Sequence, residues 1–239
     1  MSEIRKNYFL RLVGRILVFL LCLGACFLKP EWFAVLKGWN FFLQFSPLHL
    51  LWAVWMVDMI LQILPVKNRL PLGSQKLFAN RFRPLREKIN KEGLKKYAME
   101  AAAAAYKVMI LWGALTLLLG ALHLWGPLGE RGLFMTAVFF YVCDLICVLI
   151  WCPFRLIMKN KCCTTCRIFN WDHLMMFLPL AFLGGFFALS LVAFAILAFL
   201  VWELCTMIYP ERFWEGSNVA LQCCECTDKL CTQYCKKLR

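Results

Sequence analysis

Eight of the fourteen cysteines lie in polar sequence, on either side of a long apolar run. Cys163 and Cys166 form one Cys-x-x-Cys pair, and Cys223 and Cys226 form a second. Two intervening residues let both sulfurs of a pair reach one metal ion in a tight turn. The pairs are 56 residues apart, against roughly 15–20 in a zinc ribbon, and an inserted membrane segment would account for the difference. The spacing therefore predicts a thiolate metal site, for which the further candidate ligands are Cys162, Cys231 and Cys235.

Thiolate-only ligand sets suit zinc or an iron–sulfur cluster. The tail spacing Cys223-x2-Cys226-x4-Cys231-x3-Cys235 matches neither the bacterial nor the plant-type ferredoxin run, which favours zinc, with an iron–sulfur cluster as the alternative. Two other interpretations stay open. The pair Cys163 and Cys166 would serve as redox thiols, because this spacing lowers a thiol's pKa, or the cysteines are acylated or free groups beside a membrane.

Asp58 and Asp144 are the acidic residues well inside apolar stretches of the sequence. An aspartate at the centre of a membrane helix costs roughly 2.5–3.5 kcal/mol on insertion scales, so we expect both to face other helices. A proton or ion site is one interpretation, and separate structural hydrogen bonds are the other. Arg11 and Arg15, near the start of the first span, are expected to extend to the lipid phosphates. His173 is a possible metal ligand beside the first cysteine cluster.

Composition indicates a membrane protein. The chain is 62% hydrophobic, where soluble domains have about 45–50%, and the apolar residues lie in uncharged blocks. The formal charge is +13. Because no groove-reading motif is present, this charge indicates contact with anionic lipid headgroups rather than nucleic acid. The bilayer itself, a second copy of the chain and a membrane redox partner are the other partners considered.

The apolar blocks predict an all-α, polytopic membrane bundle with about five or six membrane segments and a cysteine-rich cytoplasmic edge. The long basic connection after the second span places that loop, and the N-terminus, in the cytoplasm by the positive-inside rule, most simply at the plasma membrane. The predicted parts are residues 1–66, two spans with an interfacial connection; 67–103, a basic loop with an amphipathic helix; 104–161, a transmembrane hairpin; 162–173, the first cysteine segment; 174–209, the final membrane segments; and 210–239, the cysteine-rich tail.

The apolar run from 174 to 204 leaves two alternatives open. It is too long for one level span and short for two spans of about 20 residues. A single tilted helix would place the tail outside. A half-spanning limb that breaks at Gly184 and Gly185, followed by a full span, would return the tail to the cytoplasm, and the sequence favours this alternative because it brings both cysteine clusters to one face.

Three function hypotheses follow. The first is a membrane protein with a thiolate metal centre, structural or electron-transferring in role. The second is a membrane thiol–disulfide oxidoreductase. The third is an ion or small-solute transporter that uses Asp58 and Asp144. Whether the chain is an enzyme stays open, since it contains no nucleotide-binding or hydrolase motif.

Overall fold

The computed structural model describes residues 3–65, 76–85, 89–159 and 165–225. The predicted all-α class is confirmed, since these ranges contain helices and no strand. Their α-helices are α1 (Glu3–Leu28), α2 (Asn40–Leu43), α3 (Leu48–Ile63), α4 (Lys91–Leu124), α5 (Glu130–Leu149), α6 (Phe154–Met158), α7 (Asp172–Phe177) and α8 (Phe186–Ile208). Short 3₁₀ helices lie at Pro30–Leu36, Ala79–Arg81, Ile168–Trp171, Leu178–Leu183, Pro210–Phe213, Val219–Leu221 and Cys223–Glu225.

Within the described ranges, four helices are long and apolar enough to cross a membrane: α1, α4, α5 and α8. Two further apolar helical segments are shorter, namely α3 and the stretch Ile168–Leu183. This pattern is consistent with an integral membrane protein. The bundle has two ends, which we call the basic end (residues 76–85, 150–159, 165–167 and 209–225) and the distal end (residues 29–47, 125–129 and 184–185).

Helix α4 joins the predicted amphipathic helix and the third span into one element of 34 residues. The side chain of Asn90 accepts a hydrogen bond from the backbone N–H of Gly93, which caps the start of the helix. The alanine run 101–105 then continues the helix without interruption, because alanine has the highest helix propensity. The basic face and the apolar span are therefore rigidly connected.

The segment Ile168–Leu183 crosses the whole bundle rather than stopping halfway. The segment runs alongside α4 in the same direction. Trp171 packs against Tyr106 near the basic end, and Phe182 packs against Gly120 near the distal end. Fourteen residues of α4, about 21 Å of α-helix, thus run beside eleven residues of this segment. The resulting rise of about 1.9 Å per residue approaches that of a 3₁₀ helix. Within the bundle the segment thus extends from the basic end to the turn at Gly184, and the extent to which it spans a membrane stays a prediction from the sequence.

The turn into α8 lies at Gly184 and Gly185, where the sequence placed the break. Gly184 has a φ of +67°, a left-handed conformation that favours glycine. At Gly185 a Cβ atom would overlap the carbonyl oxygen of Leu36. The backbone N–H of Phe186 donates to the carbonyl of Gly38 at 3.0 Å. The start of α8 is therefore attached directly to the loop at the distal end.

Candidate functional site

A buried ion pair joins α1 to α5. The guanidinium of Arg15 lies 2.7 Å from the carboxylate of Asp144, and the two side chains are 15% and 13% exposed. Arg15 also donates to the carbonyl of Tyr141 at 2.6 Å and lies 3.8 Å from the centre of that ring. The expectation that Arg15 extends to lipid phosphates is therefore wrong. Asp144 and the Tyr141 carbonyl supply the guanidinium with acceptors inside the bundle, so the side chain stays there and does not reach the membrane edge.

A second buried group lies at the start of α7. The backbone N–H of His173 donates to Asp172 Oδ1 at 2.7 Å, and Gln62 Nε2 donates to the same oxygen at 3.0 Å. The ring Nδ1 of His173 is 2.8 Å from that oxygen, and it must carry a proton to bond a carboxylate. These contacts attach α7 to α3. In the structure His173 binds the carboxylate of Asp172, whereas the sequence analysis considered it as a possible metal ligand.

Asp58 completes the group and differs from the other carboxylates. It makes no ion pair or hydrogen bond with any residue in the described ranges. It is half-buried and close enough to Arg15, Tyr141 and His173 to interact electrostatically with each. Gln62 follows one helical turn later on the same face, is 3% exposed, and its Oε1 has no partner in the described structure.

We call Arg15, Asp58, Asp144, Asp172 and His173, together with Gln62, the ionic cluster. Its members come from four elements of the bundle and lie toward the basic end. Electrostatic interactions link its two halves, because Asp144 interacts with both Asp172 and His173. With its three carboxylates ionised, the cluster also holds one permanent cation, Arg15, and one titratable group, His173, so its net charge is −2 with His173 neutral and −1 with His173 protonated. An interior site of this charge attracts protons or cations.

Aromatic side chains close the cluster on its distal side. Trp55, Phe134, Phe177 and Phe187 are each 0% exposed, and Trp55 packs 5.7 Å from the ring of Tyr141. Trp55 and Phe177 lie about one helical turn nearer the distal end than Asp58 and His173 on the same helices. The arrangement excludes water on that side and leaves the basic end as the nearer route to solvent.

A separate ion pair lies closer to the basic end. Glu203 of α8 is 7% exposed and accepts hydrogen bonds from Arg167 and, at 2.8 Å, from the indole N–H of Trp171. The hydroxyl of Tyr106 also reaches Glu203 at 3.4 Å. Both oxygens of this carboxylate thus accept hydrogen bonds. We interpret it as the attachment of α8 to the Ile168–Leu183 segment.

The predicted cysteine ligands are divided between described and undescribed residues. Cys166, Cys223 and Cys224 lie in the described ranges, whereas Cys162, Cys163, Cys226, Cys231 and Cys235 lie outside them. Burial raises the pKa of the Cys166 thiol above its usual value, while Cys223 is exposed. In the described ranges no three His, Cys, Asp or Glu side chains are placed to hold a metal ion.

One thiol outside the predicted ligand set is Cys152. Cys152 is buried between α5 and α6. A hydrogen bond with the Cys147 thiol lowers the pKa of Cys152 to about 7, and the backbone N–H groups of Phe154 and Arg155 contribute further. The adjacent Pro153, which begins a helical turn, was the only signal available in the sequence.

Comparison with known protein families, curated proteins and solved structures gives no match for this chain.

Proposed function

We propose that this chain is a proton-coupled membrane transporter of a small solute, with the ionic cluster as its proton-binding site. The observation that carries the proposal is the carboxylate of Asp58, half-buried and without a hydrogen-bond or ion-pair partner in the described ranges, beside the buried pairs Arg15–Asp144 and His173–Asp172 in a bundle of apolar helices. Ionisable groups at such positions are costly and typically mark ion or proton pathways. Asp58 is the proton acceptor we assign, because its carboxylate has no partner in the described structure.

A proton fits the cluster better than a divalent metal. A divalent ion requires several oxygen ligands at about 2.0–2.6 Å around one point, and no such grouping of acidic side chains occurs in the described ranges. A single proton requires only one carboxylate. Protonation of Asp58 also removes one negative charge from the field felt by Asp144 and Asp172, which relieves repulsion among the three carboxylates.

The Ile168–Leu183 segment supplies the element that would couple protonation to movement. It changes from 3₁₀ to α-helix at Trp171 and Asp172, then back to 3₁₀ at Leu178. Interrupted helices at the interior of transporters commonly form the ion and substrate sites. Asp172 and His173 lie at the first of these junctions. A change in the charge of the ionic cluster would therefore act directly on the irregular backbone of this segment.

The test measures proton binding first, because it requires no knowledge of the cargo. Infrared difference spectra of the full chain in liposomes, between acidic and alkaline buffer, report buried carboxyl groups that gain a proton. We expect a band of a protonated carboxyl group that Asp58→Asn removes. The matched control is Glu130→Gln, which removes an exposed carboxylate paired with Lys37 at 3.0 Å at the distal end and should leave the band unchanged.

The second measurement is proton flux. Liposomes that contain a pH-sensitive dye and carry an imposed membrane potential should acidify faster with the wild-type protein than with Asp58→Asn. Because Asp58 has no partner to lose within the described ranges, the variant should fold as the wild type does. A wild-type protein that shows neither the band nor the flux contradicts the proposal, as does an Asp58→Asn variant that keeps both.

A thiolate metal centre is a second candidate function, favoured by the position of two cysteine-bearing segments. The Nζ atom of Lys76 donates to the carbonyl of Cys166 at 3.4 Å and lies 5.9 Å from the ring of Phe213. Tyr97 also donates to the Phe213 carbonyl at 3.1 Å. The chain before Cys223 is thus attached to the basic end, beside Cys166. Thiolates brought to one end suit zinc or, less well, an iron–sulfur cluster.

Elemental analysis and a visible spectrum of the purified protein test this second function. The ligands to compare are Cys163 and Cys223, and we expect the double variant Cys163→Ser, Cys223→Ser to lose the metal. Metal-free wild-type protein would contradict the centre. In that case, alkylation of Cys163 and Cys166 with and without reductant tests the remaining alternative, a thiol–disulfide oxidoreductase.

A further inference from the structure

Two thiols meet where α5 ends, outside the ionic cluster. Cys147 lies in the last turn of α5, and Cys152 follows shortly after the helix. Each is a reduced thiol in the structure, and the Cys147 thiol donates a hydrogen bond to the Cys152 sulfur. Sulfur atoms already in hydrogen-bond contact need only a small movement to reach the S–S bond length of about 2 Å.

The backbone brings these thiols together by leaving α-helical geometry. The carbonyl of Ile146 accepts from the N–H of Ile150 at 2.9 Å, as in an α-helix, and also from the N–H of Trp151 at 3.1 Å. The second bond closes a turn that is one residue longer. Residues five apart point about 140° away from each other around a regular α-helix, whereas the longer turn returns them to one side. Cys147 and Cys152 directly follow Ile146 and Trp151, so they face each other.

The turn that carries this pair is open to small molecules at the basic end. Ile150 and Trp151 are 65% and 55% exposed, and Cys152 itself is 9% exposed. Cys147 is half-buried. The exposed neighbours leave a small reagent a route to the sulfurs, whereas the burial of Cys152 excludes a folded partner protein. The hydrogen bond from Cys147 favours the thiolate of Cys152, and a thiolate is the attacking form of cysteine.

We propose that Cys147 and Cys152 form a reversible disulfide site whose substrate is a small-molecule disulfide. The Cys152 thiolate attacks one sulfur of that molecule, which forms a mixed disulfide and releases one small thiolate. The Cys147 sulfur then attacks the Cys152 sulfur and gives up its proton to the released thiolate. The S–S bond of the mixed disulfide breaks, and a second small thiolate leaves and takes a proton from water. Two protein thiols are thereby oxidised to one disulfide, and the small disulfide is reduced to two thiols.

This site differs in place and in partner from the pair Cys163 and Cys166, which the sequence suggested as redox thiols. If the basic end faces the cytoplasm, glutathione keeps the site reduced, and the bond forms when the small-thiol pool becomes oxidised. The new bond would fix the path from α5 into α6. Phe154 of α6 packs 6.0 Å from Trp112 of α4, so oxidation would stiffen the junction of three helices.

The test uses the full chain in a neutral detergent, first reduced and freed of reductant. The probe is bis(2-hydroxyethyl) disulfide in mildly alkaline buffer, because it is small and uncharged. Acid stops the exchange, and the remaining thiols are then alkylated in denaturant. The tryptic peptide 132–155 contains Cys143, Cys147 and Cys152. We expect the wild type to yield this peptide with Cys143 alkylated and the other two sulfurs joined, as fragment masses show.

Three variants separate the two steps. Cys147→Ala should stop at the mixed disulfide on Cys152, and Cys152→Ala should lose both the mixed and the internal disulfide. The matched control is Cys143→Ala, which removes a half-buried thiol one turn earlier on α5 and should change the rate of internal disulfide formation less than twofold. Thermal unfolding of each reduced variant establishes that it is folded.

Two results would overturn the proposal. One is a folded wild type in which Cys147 and Cys152 stay unjoined, or in which Cys152 instead bonds to Cys166. The other is a folded Cys147→Ala variant in which Cys152 forms no mixed disulfide.

Discussion

The carboxylate of Asp144 accepts a hydrogen bond from Arg15 across 2.7 Å, although 129 residues separate them in the chain. Both side chains lie in the interior of the bundle, where α1 packs along α5. Attraction between the two charges is strong there, but so is the cost of removing each from water. The pair therefore contributes little net stability and strongly penalises the loss of either member.

We predict that Arg15→Met and Asp144→Leu each destabilise the protein by about 3–5 kcal/mol, because each leaves an uncompensated charge in the interior. The double variant Arg15→Met, Asp144→Leu should recover most of that loss, since it removes both charges and keeps the volume. Free energies of unfolding in mixed detergent micelles measure all three. Additive losses in the double variant would show that the two side chains do not act as a pair.

The close approach of Gly185 to Leu36 predicts a second effect on stability. Gly185→Ala should destabilise by about 1–3 kcal/mol, because the added methyl group must displace the backbone of the distal loop. Gly24→Ala is the matched control: it lies within α1 with nothing within 4 Å of the new Cβ. It should be neutral or stabilise by about 0.5–1 kcal/mol, as alanine does in a helix. Thermal unfolding that ranks the two variants in the opposite order would contradict the packing described for the start of α8.

The sequence identified part of the ionic cluster and not the rest, for physical reasons. Asp58 and Asp144 are conspicuous because acidic residues are rare in apolar segments. Arg15 and Asp172 lie near the ends of such segments, where long or capping side chains ordinarily reach solvent. Their contacts with Asp144 and His173 in the bundle interior were therefore not expected. Which helix faces which depends on packing between distant parts of the chain, and a single sequence does not contain that information in readable form.

The same limit explains why the length of the Ile168–Leu183 segment could not be predicted. Counting residues against membrane thickness assumes a rise of about 1.5 Å per residue. The 3₁₀ helix Leu178–Leu183, which includes Pro179, has a greater rise, so fewer residues reach the distal end. The break itself was predictable, because Gly184 requires a positive φ that glycine adopts readily. The sequence predicted five or six membrane segments, and the described ranges contain four helices long and apolar enough to cross a membrane and two shorter apolar ones.

Cys152 gives a prediction about pH. Its pKa of about 7 means that the thiol is mostly protonated in mildly acidic buffer and mostly thiolate in mildly alkaline buffer. Because the thiolate is the nucleophile, its reaction with a small methanethiosulfonate should accelerate as the pH rises through about 7. Cys147→Ala removes the stabilising hydrogen bond and should move that midpoint upward.

Cys166, whose pKa is raised by burial, should require a more alkaline pH, and peptide mass spectrometry distinguishes the two sites. A Cys152 midpoint that Cys147→Ala leaves unchanged would contradict the proposed origin of the shift.

The positions of the loops predict which residues a membrane-impermeant maleimide reaches. Cys223 is exposed at the basic end, and Phe45 is 95% exposed at the distal end. If the basic end faces the cytoplasm, as the distribution of Lys and Arg indicates, intact cells should protect Cys223 and permeabilised cells should not. A Phe45→Cys variant should react in intact cells, which controls for access of the reagent. Peptide mass spectrometry assigns each modification to its site.

Labelling of Cys223 in intact cells, with protection at position 45, would place the basic end outside and reverse the orientation. Labelling at both positions would show that the two ends are not separated by a membrane.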